Sequence, residues 1–317
     1  FISYPVLETL RVLTEAGPDL AAAAAALEAR EATYPHGGGE MVHGVHALAL
    51  KTITLPPATH TNCYLLGTKE VIVVDPGTPF ADEQERLVGY LEHLRGQGSR
   101  LREIWVTHYH ADHIGAADLL RQRYGLPVAA HTDTRAALGD ALRVDRQITD
   151  GETLTLADGA SWQALDTPGH AHGHLCFHET RRGHLLSGDN ILGMGTSVVP
   201  PSPEGSMVDY LASLRRVQRL NLGMIFPGHG PPVAAASGKI AQYLAHRQDR
   251  EAKILDALRS PASPRELVAQ VYTDVDPSLH ALAESTVRAH LEKLEAEGKV
   301  THAAGTYSRH PGPGALS

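Results

Sequence analysis

The run Thr107-His108-Tyr109-His110-Ala111-Asp112-His113 constrains this chain more than any other stretch. The apolar segment 103–107 before it reads as a strand and 113–124 after it as a helix, so the polar residues fall on the turn at a strand's C-terminal end. Three imidazoles and a carboxylate within six residues cannot all converge on one cation without strain, but they can serve two. His108 and His110, two apart in extended chain, project to the same side. Asp112 and His113 then open the helix and face a neighbouring ion. A lone histidine pair at this spacing is more often surface or core, but that reading does not explain the whole H-x-H-x-D-H run.

Further donors stand at the ends of later strands, each behind a glycine. His170 follows Thr167-Pro168-Gly169 after a strand at 161–166. Asp189 follows Ser187-Gly188 after 184–186, and His229 follows Pro227-Gly228 after 224–226. Glycine at these points lets backbone approach a crowded centre. Five neutral imidazoles and two carboxylates suit zinc best, and iron or manganese fits the same donors.

Around these motifs the chain divides into three blocks: 1–45, 46–236 and 237–317. The first holds two short helical patterns, 5–16 and 18–32, and the glycine run after His36. In the second, short β-rich runs alternate with helical ones, which predicts a layered α/β protein with mixed sheets. The third is mostly helical: a long helix over 239–259, a capping box at Ser263-Pro264-Arg265-Glu266, a helix over 285–297, and a small hairpin around Gly305. Three helices and a hairpin read as a winged-helix-like module.

Five motifs in order carry a resemblance to the metallo-β-lactamase-fold hydrolases over about residues 45–235: Asp75-Pro76-Gly77, the H-x-H-x-D-H run, Thr167-Pro168-Gly169-His170, Ser187-Gly188-Asp189 and Pro227-Gly228-His229-Gly230. The resemblance implies a four-layer αββα sandwich with two metal ions in a cleft at one edge of the sheets. It implies that His108, His110 and His170 bind the first ion and Asp112, His113 and His229 the second, with Asp189 bridging. Asp75 would orient a ligand rather than bind metal. A hydroxide held between two Zn2+ ions would attack an ester, thioester or phosphodiester, and Asp112 or Asp189 would pass a proton to the leaving group. The shared Asp189 and the absence of a cysteine ligand point away from antibiotic hydrolysis. With its C-terminal module, the chain resembles the lactamase-beta-like protein 2 group, some of whose members are single-strand endoribonucleases.

The remaining features narrow the partners. A formal net charge of −8 argues against binding nucleic acid by bulk electrostatics. From Ser263 onward there are five basic and seven acidic side chains, and the presumed recognition helix carries Glu292, Glu295 and Glu297. The module therefore reads as a packing or homodimer element, and a small-molecule substrate is expected ahead of single-stranded RNA. A non-catalytic, metal-stabilised nucleic-acid-binding regulator is the third alternative, disfavoured because structural metal sites are closed. No apolar run approaches the roughly 20 residues of a membrane helix. Cys63 and Cys176 match no redox or metal spacing, so the expected setting is cytoplasmic. His174 is read as supporting the ligands, and Asn62 as a turn cap. His36, His43, His46 and His60 are read as surface or packing residues, and the proline-rich stretch 193–206 as a wall of the cleft.

Overall fold

The computed structural model describes residues 38–273 and 275–310. The helical patterns expected before Gly38 lie outside the described residues. The first sheet has seven strands in chain order: β1 (Gly39–Val42), β2 (Val45–Lys51), β3 (His60–Leu66), β4 (Glu70–Val74), β5 (Arg100–Trp105), β6 (Val128–Ala130) and β7 (Arg146–Gln147). β1 to β4 pair antiparallel and β4 to β7 parallel, as helical crossovers require. Helix α1 (Ala81–Gly96) joins β4 to β5, and α2 (Ala111–Ile114) with α3 (Ala117–Tyr124) joins β5 to β6. Helix α4 (Thr132–Leu138) precedes β7.

The second sheet is ordered β12-β11-β10-β9-β8, formed by β8 (Thr153–Thr155), β9 (Ser161–Asp166), β10 (Leu175–Glu179), β11 (Leu185–Gly188) and β12 (Ile225–Pro227), with α5 (Met207–Gln218) between β11 and β12.

Side-chain alternation along the strands builds the layers. In β3, Cys63 and Leu65 join Leu87, Leu91 and Leu120 in a helix-facing core, while Tyr64 and Leu66 point to the other side. There they meet Trp105, Trp162, Phe177 and Phe226 between the sheets. The far face of the second sheet packs Cys176, Leu185 and Ile225 against Tyr210 and Leu214 of α5. Helix, sheet, sheet, helix is the expected sandwich. Each large side chain withdrawn into these cores contributes about 1.5–3 kcal/mol. Both cysteines are buried and unpaired.

Helix α6 (Ala236–Ala257) serves two cores: Ile240 and Tyr243 pack on the sandwich, and Ile254 enters the C-terminal one. That second core gathers α7 (Pro264–Val271), α8 (His280–Ala296) and the hairpin of β13 (Val300–Ala303) and β14 (Thr306–Arg309). The capping box forms as expected, with Ser263 and Glu266 each satisfying the other's backbone N–H. Among the described residues no helix is long and apolar enough to cross a membrane.

Candidate metal centre

All seven donors meet where strands of both sheets end. His108 and His110 follow β5, and Asp112 and His113 lie in α2. His170 follows β9, Asp189 follows β11 and His229 follows β12. Three groups have mutually close donor atoms: His108, His110 and His170; His108, His113 and Asp189; Asp112, His113 and His229. His110 Nδ1 lies 2.9 Å from His108 Nε2 and 3.1 Å from His170 Nε2. His229 Nε2 lies 3.3 Å from both Asp112 Oδ2 and Asp189 Oδ2. Gly228 is needed because a Cβ there would meet Asp189 Oδ1 at 2.5 Å and the His113 ring at 2.9 Å.

The outward nitrogens decide which way the inward ones face. His113 Nδ1–H donates to Asp75 Oδ2 at 2.9 Å, His170 Nδ1–H to the Val198 carbonyl at 2.7 Å, and His229 Nδ1–H to the His60 carbonyl at 2.8 Å. The Thr107 hydroxyl donates to Asp75 and therefore accepts from His108 Nδ1–H at 2.9 Å. In each of these four rings Nδ1 is engaged outside the cluster, which leaves Nε2 to face inward. Asp75 thus touches Thr107 and His113 and orients donors without joining them. His174 plays the expected supporting part, since its Nε2 accepts the Asp189 backbone N–H at 3.2 Å.

The electrostatics of the cluster are divided. Burial, reinforced by His113 and the other imidazoles, keeps His108 neutral. Burial and then His170 push His110 down to about 3. On the other side, burial also works against charge, but Asp189 and Asp112 carry His229 up to about 10, and Asp189 and Asp75 likewise raise His113. The carboxylates demand positive charge at that half. His113 Nε2 and Asp189 Oδ1, both buried, face each other at 3.4 Å with no hydrogen-bond partner. Inward-facing ring nitrogens, buried polar atoms without partners and a local demand for positive charge are what a cation-binding cluster requires.

Thr107, Ser197, Arg247 and Thr286 are given no supporting role by the sequence reading, yet they hold the cluster's surroundings. Ser197 Oγ lies 3.2 Å from His170 Nδ1. Arg247 of α6 donates to the Ser197 carbonyl, the Val199 N–H reaches Thr286 Oγ1 of α8 at 3.4 Å, and the Ser202 N–H reaches Glu292 at 3.0 Å. The stretch 193–206 walls the cleft as expected, and the C-terminal module holds it in place. Asn62 is not a turn cap: it lies inside β3, and its amide donates to the carbonyls of Pro227 and Gly230 on either side of His229. His46 packs through Nδ1 on the Tyr90 hydroxyl.

An αββα sandwich that gathers five imidazoles and two carboxylates at strand ends defines a metal-dependent hydrolase. The chain belongs to the metallo-beta-lactamase superfamily, whose family model matches residues 56–229. A beta-lactamase associated winged helix domain matches residues 263–308. The chain is 30% identical over 247 residues to a Beta-lactamase-like protein 2 homolog of Caenorhabditis elegans, covering 76% of this chain and 80% of that protein. It is 29% identical over 256 residues to an Atrochrysone carboxyl ACP thioesterase of Aspergillus novofumigatus, covering 76% and 75% respectively. A metallo-beta-lactamase family protein of Thermus thermophilus superposes with a TM-score of 0.70 at 26% identity, over 84% of this chain and 99% of that one. The chain is thus a hydrolase of this superfamily, and the fold implies metal ions in the cluster.

Proposed function

We propose that the chain is a dinuclear hydrolase of esters or thioesters acting on a small-molecule substrate. In this reading His108, His110 and His170 hold one ion, Asp112, His113 and His229 hold the other, and Asp189 is shared. The position of Asp189 carries the assignment: its oxygens lie 3.4 Å from His113 Nε2 and 3.7 Å from His170 Nε2, so one carboxylate faces both halves. Two zinc ions, when bound there, supply Lewis acidity and an activated water at neutral pH.

The chain's own residues supply position and proton transfer. Asp75, Thr107 and the carbonyls of Val198 and His60 hold four rings in one tautomer. His108 and His113 are fully buried beneath the site, while His110, Asp112, His170, Asp189 and His229 line the cleft. Asp112 and Asp189 are the two carboxylates of the cluster that line the cleft, and in this reading one of them passes a proton to the leaving group. Similarity to a relative named as a thioesterase favours an acyl substrate over a phosphodiester.

The test is a parallel assay of the zinc-loaded protein on a thioester, a lactone, a bis-aryl phosphodiester and single-stranded RNA. Hydrolysis of the acyl substrates, lost in Asp189→Ala together with both ions, is the expected result. Cleavage of RNA alone, or full two-ion binding in Asp189→Ala, would overturn the reading.

A further inference from the structure

The metal cluster opens into a cleft of about 1830 Å³, well beyond the roughly 300–1,000 Å³ of an ordinary small-molecule pocket. One wall comes from the catalytic domain: Ile53 and Leu55 from the β2–β3 connection, and Met194 from the stretch after Asp189. A further part of the lining comes from the C-terminal module, with Val275, Leu279, Leu282 and Ala283. Five large apolar side chains stand exposed among the described residues, and three of them line this cleft: Ile53 at 75%, Met194 at 62% and Leu55 at 48%. Exposed apolar side chains concentrated at one place mark a binding surface. The charge of the lining points the same way. Among the described residues that line the cleft, Arg247 is the one Arg or Lys; it is 2% exposed and already donates to the Ser197 carbonyl. Glu40, Asp112, Asp189 and Glu204 line the cleft as carboxylates. Among the described lining residues a polyanion would find no exposed ammonium or guanidinium to replace its counterions.

We propose that the winged-helix module is a wall of the substrate cleft, and that the cleft selects a large, uncharged, apolar acyl group, which Leu282 of that module and Met194 of the catalytic domain both contact. This rests on the acyl-hydrolase reading for its chemistry but not for its binding. Each methylene buried along such a wall is worth up to about fourfold in affinity or in kcat/KM.

Two measurements test it on the full chain. In the first, the neutral dye N-phenyl-1-naphthylamine is titrated into the protein without added metal. The dye should bind, and Leu282→Asp and Met194→Asp should each weaken it about tenfold or more. Met194 is exposed on a loop, so its variant folds even if the Leu282 variant does not. In the second, kcat/KM of the zinc-loaded protein is compared on 4-nitrophenyl esters of two to twelve acyl carbons. The twelve- to two-carbon ratio should exceed about 100 in the parent chain and fall about tenfold or more in either variant. No dye binding, dye binding equal in the variants and the parent, a flat acyl-length profile, or displacement of the dye by single-stranded RNA would each overturn the proposal. Dye binding sensitive to both variants with no ester hydrolysed would support the cleft and remove the acyl-hydrolase reading instead.

Discussion

Asp75 adopts φ 50°, in the left-handed region that non-glycine residues rarely occupy. The strain places its carboxylate under the cluster, where it accepts from the Thr107 N–H, the Thr107 hydroxyl and His113 Nδ1–H. Asp75→Asn keeps the shape but replaces an acceptor oxygen with an NH₂, so His113 loses its orientation. Metal affinity, read by competition with a chromophoric chelator, should fall about 10–100-fold; unchanged affinity would make Asp75 a purely structural turn residue. His229→Ala should leave His108, His110 and His170 assembled and the sandwich folded. Its hydrolytic rate should nonetheless fall by about 10²-fold or more, roughly 2.7 kcal/mol of transition-state stabilisation. A near-normal rate with one ion bound would show a mononuclear enzyme. The seven donors were legible in the sequence because few other roles require so many imidazoles and carboxylates behind glycines. Their supports were not: the carbonyls of Val198 and His60 act through backbone, which every residue possesses, so no side-chain identity marks them.

Between strand and helix, the sequence predicts one continuous helix over 113–124, but the chain breaks it into α2 and α3 around Gly115-Ala116. The cause is a close approach that local periodicity does not register. A Cβ at Gly115 would meet the Gly77 carbonyl at 2.5 Å, and one at Gly77 would lie 1.7 Å from the Asp112 carbonyl. The Pro76-Gly77 turn and the first turn of α2 are thus pressed backbone to backbone. Gly77→Ala must push Asp112 and His113 away from the cluster. Urea titration should show a loss at or above the ~1–3 kcal/mol typical of overpacking, with reduced metal content. A stable variant with full metal content would mean that the turn is free to shift. β1 (Gly39–Val42) falls in the block read as a helical extension and was missed, but strand and helix types were otherwise readable from their periods, with ends displaced by a few residues. The helix Thr132–Leu138 and the two-residue strand Arg146–Gln147 are too short to show a period.

Across the whole molecule, the presumed recognition helix α8 is turned inward. Ala289 packs in the sandwich core, Leu282 lines the cleft, and His290 is fully buried with neither ring nitrogen hydrogen-bonded. Burial, then Arg247 and Lys293, push His290 down to about 3, against an ordinary value of 6.5. Between those values the unfolded chain binds the extra proton, so stability present above pH 6.5 is lost on acidification, at up to about 1.4 kcal/mol per pH unit. Urea midpoints at pH 7.5 and pH 5 should therefore lie closer together in His290→Phe than in the parent; equal gaps would remove His290 as the cause. The acidic charge of α8 is legible in the sequence, but its inward orientation depends on contacts with the sandwich core and the 193–206 stretch, both far off in the chain, and could not be read locally. That orientation also joins events usually considered apart. His170 leans on the Val198 carbonyl, and the strip carrying Val198 is tied to Arg247, Thr286 and Glu292. Linkage is reciprocal, so a chelator that strips ions bound there should act as a gentle, site-directed denaturant of a module it never touches. Amides of α8 should then exchange with deuterium faster after chelation, and tightening α8 against that strip should make the ions harder to remove.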